Sequence, residues 1–98
     1  MSAKIVFSRR AKAQIQNLAG DLADQSSQAA REFLDALDVK AEQLAQFPES
    51  GQVWEEDVRR MLLRRVPYSV FSIFDDTRGV VTIIACYHDK SDPTSWRF

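Results

Sequence analysis

Residue types that often mark a small protein's chemistry are scarce in this chain. There is one cysteine, Cys86, and one histidine, His88, in 98 residues. A lone cysteine excludes an internal disulfide and every multi-cysteine metal site. Set within VVTIIACY, Cys86 reads as a small buried hydrophobe. A single histidine without clustered carboxylates falls short of the usual ligand sets, so neither a metal nor a cofactor is expected. Three glycines and three prolines leave no low-complexity linker, and no internal repeat is visible. No apolar run approaches the ~20 residues that span a bilayer. The opening MSAKIVFSRR lacks the basic n-region and long apolar stretch of a signal peptide, so the expected location is the cytoplasm, away from membranes.

What is present is an ordinary globular composition, 45% apolar and 28% charged. The length suits a single domain, residues 1–98, with one two-layer core. The net charge of −1 hides an asymmetry. Residues 1–57 carry six basic and ten acidic side chains, and residues 58–98 carry seven and four. An acidic helical layer and a basic sheet layer are expected, the latter attractive to an anionic partner.

Lys4–Phe7 is a short β-branched and aromatic run, a first strand. Ser8 can cap a helix over which Ala11, Ile15, Leu18 and Leu22 recur on one face, reaching to about Gln25, with Gly20 a possible earlier stop. Ser26-Ser27 can cap a second helix with a stripe of Ala30, Phe33, Leu34, Leu37, Ala41, Leu44 and Ala45, stopped after Phe47 by Pro48 and Gly51. Glu49–Asp57 reads as a polar loop interrupted by Val53 and Trp54. Val58–Val66 reads as an arginine-rich strand, broken by Pro67. Tyr68–Phe74 and Val80–His88 read as two further strands around a hairpin loop that includes Gly79, pairing antiparallel. The apolar character of the last strand requires cover on both faces. The fold class is therefore α+β: a helical hairpin packed on an antiparallel sheet, in the order β-α-α-β-β-β, followed by a polar tail. Trp96 and Phe98 in that tail either pack back on the body or await a partner.

That order, with Ser8-Arg9-Arg10-Ala11 after the first strand, Phe47-Pro48 then Gly51 at the helix end, Pro67-Tyr68 entering a strand, and Tyr87-His88-Asp89-Lys90 before Asp92-Pro93 and Trp96, resembles the RelE/ParE superfamily. These are toxins of type II toxin–antitoxin systems, often labelled plasmid stabilisation proteins. The resemblance covers nearly the whole chain. It implies a bacterial toxin neutralised by a cognate antitoxin, in a hetero-oligomer. It also implies one of two targets: ParE-like members inhibit DNA gyrase, whereas RelE-like members cleave mRNA on the ribosome.

Metal-free RNA cleavage needs a base, an acid and cations around the phosphate. The RelE-like enzymes usually place an arginine just after the aromatic that opens the penultimate strand, and a tyrosine or histidine near the C-terminus. Here those positions hold Ser69 and Trp96, and tryptophan cannot transfer a proton. His88 remains the candidate acid or base, with Arg64 or Arg65 at the phosphate. Alternation would place His88 on one strand face with Cys86, Ile84 and Thr82. The bland alternative is that His88 ends the strand and hydrogen-bonds to Asp89 or Asp92. Arg59, Arg60, Arg64 and Arg65 carry the strongest signal, either as a solvated strand paired to acidic helices or as a cationic strip for carboxylates or phosphates. His88, Lys90, Trp96 and Arg97 complete the expected partner-binding surface. An isoelectric point near 5.7 argues against a nuclease competing for ribosomal phosphate. The expected function is gyrase inhibition by protein–protein binding. An mRNA endonuclease and a non-toxic binding module of the same fold are the alternatives.

Overall fold

The computed structural model describes residues 2–98. Strand β1 (Lys4–Phe7) leads into helices α1 (Arg9–Gln25) and α2 (Ser27–Gln46), then β2 (Gln52–Glu55), β3 (Val58–Leu62), β4 (Tyr68–Asp75) and β5 (Val80–His88), with a 3-10 turn at Pro93–Ser95. The α+β class and the leading strand and helical hairpin agree with the sequence reading. One strand was missed: the supposed polar loop contains β2, which pairs antiparallel with β3. Its Gln and Glu positions carry no strand signature because β2 is a sheet edge, with Gln52, Val53 and Glu55 exposed.

Both helix starts follow from hydroxyl capping. Ser8 Oγ accepts from Ala11 N at 3.1 Å. Ser26 ends one helix and begins the next. Its N–H donates to Leu22 O at 2.8 Å, while its Oγ accepts from Ala29 N at 3.2 Å. A single extended residue thus turns the chain and satisfies groups of both helix ends. Gly20 does not stop α1, because the helix is held to Gln25 by packing of Ile15, Leu18 and Leu22 against the core.

The sheet order is β1-β5-β4-β3-β2. β1 runs parallel to β5, pairing Lys4 with Val80 through Phe7 with Ile83, whereas the other neighbours are antiparallel. The first strand therefore docks beside the last, a non-local pairing that neighbouring residues do not reveal. β5 is central and covered on both faces, as its composition requires.

A bulge interrupts β5. Phe71 pairs with Ala85 and Ser72 with Ile83, leaving Ile84 as the extra residue. The inserted residue shifts the alternation. Val81, Ile83 and Cys86 pack toward the helices with Phe33, Leu37, Leu44, Met61, Tyr68 and Val70. Ile84, Ala85 and Tyr87 pack on the far face with Val58, Phe71, Trp54 and Trp96. The sheet thus has two cores, one under the helices and one under the tail.

Gly51 links α2 to β2 at φ +99°, and a Cβ there would stand 2.6 Å from Met61 Cγ and 2.8 Å from Arg60 O. Gly51→Ala is expected to lower stability by about 2 kcal/mol or more, from overpacking and a left-handed φ. Gly20 sits in a helix with nothing within 4 Å of an added Cβ. There Gly20→Ala should stabilise by about 1 kcal/mol. Urea denaturation of the two variants checks the opposite signs.

Candidate functional site

The far face of the sheet, away from the helices, is organised around Arg60. β3 presents Val58 and Arg60 there, opposite Phe71 of β4. The Arg60 guanidinium lies 5.3 Å from the ring centroid of Trp54 and 5.3 Å from that of Trp96. It donates through Nε to Ser69 Oγ at 3.1 Å and through Nη2 to Asp89 Oδ1 at 3.2 Å. Ser69 Oγ in turn donates to the same Asp89 oxygen. Ser69 is fully buried. Arg60 and Asp89 form an ion pair with side chains only 19% and 23% exposed. A planar cation set against two touching aromatic rings and hydrogen-bonded at its edge uses what arginine offers and lysine does not.

The tail closes over this arrangement. Tyr87 and Trp96 stack with centroids 5.3 Å apart and planes 13° apart. Phe98 meets Phe71 at 4.8 Å. Tyr87 Oη donates to Arg97 O and accepts from Arg97 N, each at 2.9 Å. Trp96 Nε1 donates to Ser91 Oγ at 2.7 Å, and Ser91 Oγ donates to His88 O at 2.6 Å. Asp92 caps the 3-10 turn through Thr94 N, which holds its carboxyl below the ordinary range. Trp96 is 5% exposed. Of the two alternatives for the C-terminal aromatics, packing back on the body holds for Trp96.

The expected site residues therefore separate. Arg59 points to the helix side, 3.7 Å from Glu49 and donating to Gly51 O at 3.3 Å. Arg60 is enclosed on the far face. Arg64 and Arg65 are not on a strand, contrary to the reading of Val58–Val66 as one run. Pairing of β3 with β4 ends at Leu62, and Leu63 N donates to Tyr68 O to close the turn. Arg65 adopts φ 70°, and both arginines are exposed. Of the four arginines only Arg59 and Arg60 lie on a strand, where alternation sends them to opposite faces.

His88 does share a face with Cys86, but the bulge separates it from Ile84 and Thr82. It lies edge-on to Tyr68, with ring centroids 5.0 Å apart. Its Nδ1 accepts from Lys90 N at 3.0 Å. The local hydrogen bond of the bland reading is present, made to a backbone amide and not to Asp89 or Asp92. Tyr68 faces the helix-side core and Asp89 binds on the far face, so His88 and the Arg60 cluster sit on opposite sides of the sheet. Lys90 and Arg97 are exposed, and Arg97 Nη1 donates to the carbonyls of Thr94 and Trp96 at 3.1 and 2.9 Å.

Sequence reasoning overlooked Trp54 and Asp89, which complete the Arg60 cluster, and Lys40. A signal for Lys40 existed: it falls three residues after Leu37 and four before Leu44, on the apolar stripe of α2. It is 8% exposed, and its Nζ donates to Gln43 Oε1 at 2.9 Å. Burial, and then the nearby Arg64 charge, lowers its pKa from the ordinary lysine value. Among the described residues no group of three or more His, Cys, Asp or Glu is placed to hold a metal ion, and no helix is long and apolar enough to cross a membrane.

Residues 5–93 match the family described as the ParE toxin of the type II toxin–antitoxin system parDE. The chain belongs to this family. It is a toxin of the RelE/ParE superfamily of type II toxin–antitoxin systems. No curated protein sequence matches it significantly. Among solved structures, the isolated RelE toxin of E. coli is 17% identical with a TM-score of 0.65, covering 95% of this chain and 90% of that one. The chromosomal ParDE system of P. aeruginosa gives 16% identity and a TM-score of 0.65, covering 89% and 96%. The E. coli RelBE toxin–antitoxin complex gives 18% and 0.64, covering 92% and 100%. At these identities the likeness is one of fold.

Two predictions follow from the buried groups. Replacing Arg60 by Ala should cost about 2 kcal/mol, because it strands the Asp89 carboxylate and removes the cation set against two tryptophans, with the partial exposure of the pair holding the figure below that of a fully buried one. Arg60→Lys should recover only part of this in urea denaturation. The Cys86 thiol is pushed up to about 12, by burial and then by the Asp89 charge. Above pH 9 the unfolded chain releases this proton and the native chain keeps it, so stability should fall as pH rises from 9 toward 12. The Cys86→Ala variant should show a shallower decline over that window.

Proposed function

We propose that this toxin acts by protein–protein binding, as a ParE-like inhibitor of DNA gyrase, and is held silent by a cognate antitoxin in a hetero-oligomeric complex. The observation that carries this reading is the state of Ser69. Where RelE-like enzymes usually place a phosphate-binding arginine, a fully buried serine is locked to Asp89. The adjacent Arg60 is neutralised by the same carboxylate and enclosed by Trp54 and Trp96. A substrate phosphate would have to break that ion pair before meeting a cation, and the C-terminal aromatic offers no transferable proton to a leaving oxygen. His88 lies on the other side of the sheet from this cluster, so an acid–base pair spanning the two is not assembled.

Membership of the ParE family supports the same choice. The solved relatives include toxins bound to antitoxins, which supports an antitoxin as the silencing partner here. A cytoplasmic location and a role in plasmid stabilisation go with this reading.

The test is supercoiling by purified gyrase in the presence of the purified toxin, with a parallel translation reaction to follow mRNA integrity. Supercoiling should be blocked and transcripts should remain whole, and His88→Ala should change neither result more than twofold. Codon-position cleavage of transcripts that disappears in His88→Ala would refute the proposal.

A further inference from the structure

His88 ends β5 at the point where the chain leaves the sheet for the tail, and the turn beyond it is built on that one residue. Its ring nitrogen Nδ1 accepts from Lys90 N at 3.0 Å. Its carbonyl accepts from Ser91 N at 3.0 Å and from Ser91 Oγ at 2.6 Å. Ser91 Oγ in turn accepts from Trp96 Nε1 at 2.7 Å, which fixes the indole that covers the far face. An imidazole on the helix side of the sheet is thus joined through the turn to a tryptophan on the other side.

The ring can accept in one protonation state only. Nδ1 has a free lone pair in the neutral Nε2–H tautomer, whereas an imidazolium carries hydrogen on both nitrogens and accepts nothing. Imidazole is the side chain whose charge ordinarily changes between pH 5 and 8. A proton on Nδ1 would set two N–H groups against each other inside the turn. Rotating the ring does not restore the bond. It turns a carbon toward Lys90 N, or it pulls the ring off Tyr68, against which it packs edge-on at 5.0 Å. His88 is half-buried, so water reaches it. The titratable and charged groups at this corner are Tyr68 of β4, Cys86 of β5, Asp89 and Lys90 of the turn, and Asp21 of α1, whose charge reaches the Tyr68 phenol. α2 presents the uncharged Phe33 to Tyr68. Burial pushes the Cys86 thiol up to about 12 and raises Tyr68 as well, so both stay neutral through the imidazole range. Asp92, lowered by its bond from Thr94 N, stays ionised there.

We infer that His88 is a proton-operated latch on the C-terminal tail: the neutral ring holds the 88–91 turn that seats Trp96, and protonation releases the turn and loosens the tail over Arg60. Only the neutral ring accepts, so docking is favoured at the alkaline end of the imidazole range and weakens as pH falls through it. The rings of Phe71 and Tyr87 continue to hold Trp96, so the effect is a graded opening and not loss of the tail. The latch goes beyond the gyrase reading and does not rest on it. It governs access to the far face whichever target the toxin meets.

The measurement is hydrogen exchange of the Trp96 indole N–H in the intact toxin, followed by NMR from pH 8 to pH 5, with each rate divided by that of free tryptophan at the same pH. Protection in wild type should fall about fivefold across this range, the factor that corresponds to one lost hydrogen bond. His88→Asn supplies a side-chain oxygen that accepts from the amide two residues on and does not titrate, so its protection should stay within about twofold of the wild-type pH 8 value throughout. His88→Ala lacks the acceptor and should show the lower protection at both ends of the range. Nitrogen shifts of the wild-type ring at pH 8 should report the Nε2–H tautomer. Asp89 and Asp92 are present in all three proteins, so a fall shared by His88→Asn assigns the effect to carboxylates and overturns the inference. A flat wild-type profile overturns it too, as does a neutral ring with its hydrogen on Nδ1. Should His88→Ala fail to fold, the comparison of wild type with His88→Asn decides alone. None of these readouts involves gyrase, so failure of the functional reading and failure of the latch remain distinct.

Discussion

Arg60 ties together three segments whose aromatic rings also meet around it. Its guanidinium lies against both Trp54 of the β2–β3 hairpin and Trp96 of the tail, whose rings also touch each other, and its edge is fixed by Asp89 and Ser69. Without it, two tryptophans would lose the cation set against them and a carboxylate would be left with a serine as its side-chain partner. The far-face core is small, built from Val58, Phe71, Ala85 and Trp96 with neighbours at its margins. A small core contributes limited apolar burial, so a charge-assisted contact at its centre carries a larger share of its order. The tail is held by this centre together with the rings of Phe71 and Tyr87.

The two faces of the sheet have accordingly different physics. Under the helices, Phe33, Leu37, Leu44 and Ile83 make an aliphatic and aromatic interior of the ordinary kind. Under the tail, aromatic rings meet edge-on or stacked around a single cation. The bulge at Ile84 lets one strand serve both, turning Ala85 and Tyr87 toward the tail while Cys86 stays with the helices. β1 pairs with β5 only as far as Ile83, and beyond it Gln14 of α1 meets the strand, accepting from Cys86 N at 2.9 Å.

Local chemistry made some of this legible from sequence and hid the rest. Ser8 and Ser26 announce their helices because capping is decided within four residues. The spacing of Leu18, Leu22, Phe33 and Leu37 announces the hairpin because helix periodicity is regular. β2 escaped because a short edge strand is stabilised by its neighbour and not by its own side chains, and Gln52 and Glu55 look like loop. The pairing of β1 with β5 escaped because the partners are far apart in the chain. The bulge escaped because Ile84 is as good a strand residue as any other, and only the register with Phe71 and Ser72 exposes it. The arginines were conspicuous, but their sorting into an Arg60 on the far face, an Arg59 on the helix side and the turn pair Arg64-Arg65 depended on where β3 ends. That end is set by the hydrogen bond from Leu63 to Tyr68 across the turn.

Ser69 also bears on whether an arginine could be accommodated at this place by a single change. An arginine at 69 would extend from a fully buried backbone position into space already taken by the Arg60 guanidinium. It would compete for the Asp89 carboxylate, leaving one of two close guanidiniums without a counter-charge. Like charges at such range are costly when both are shielded from water. Relief would require Arg60 to leave the two tryptophan rings, which loosens Trp96 and with it the tail that roofs the face. Three features, a buried serine, a caged arginine and a docked tail, thus depend on one another. A phosphate-binding pit at this place requires all three to change.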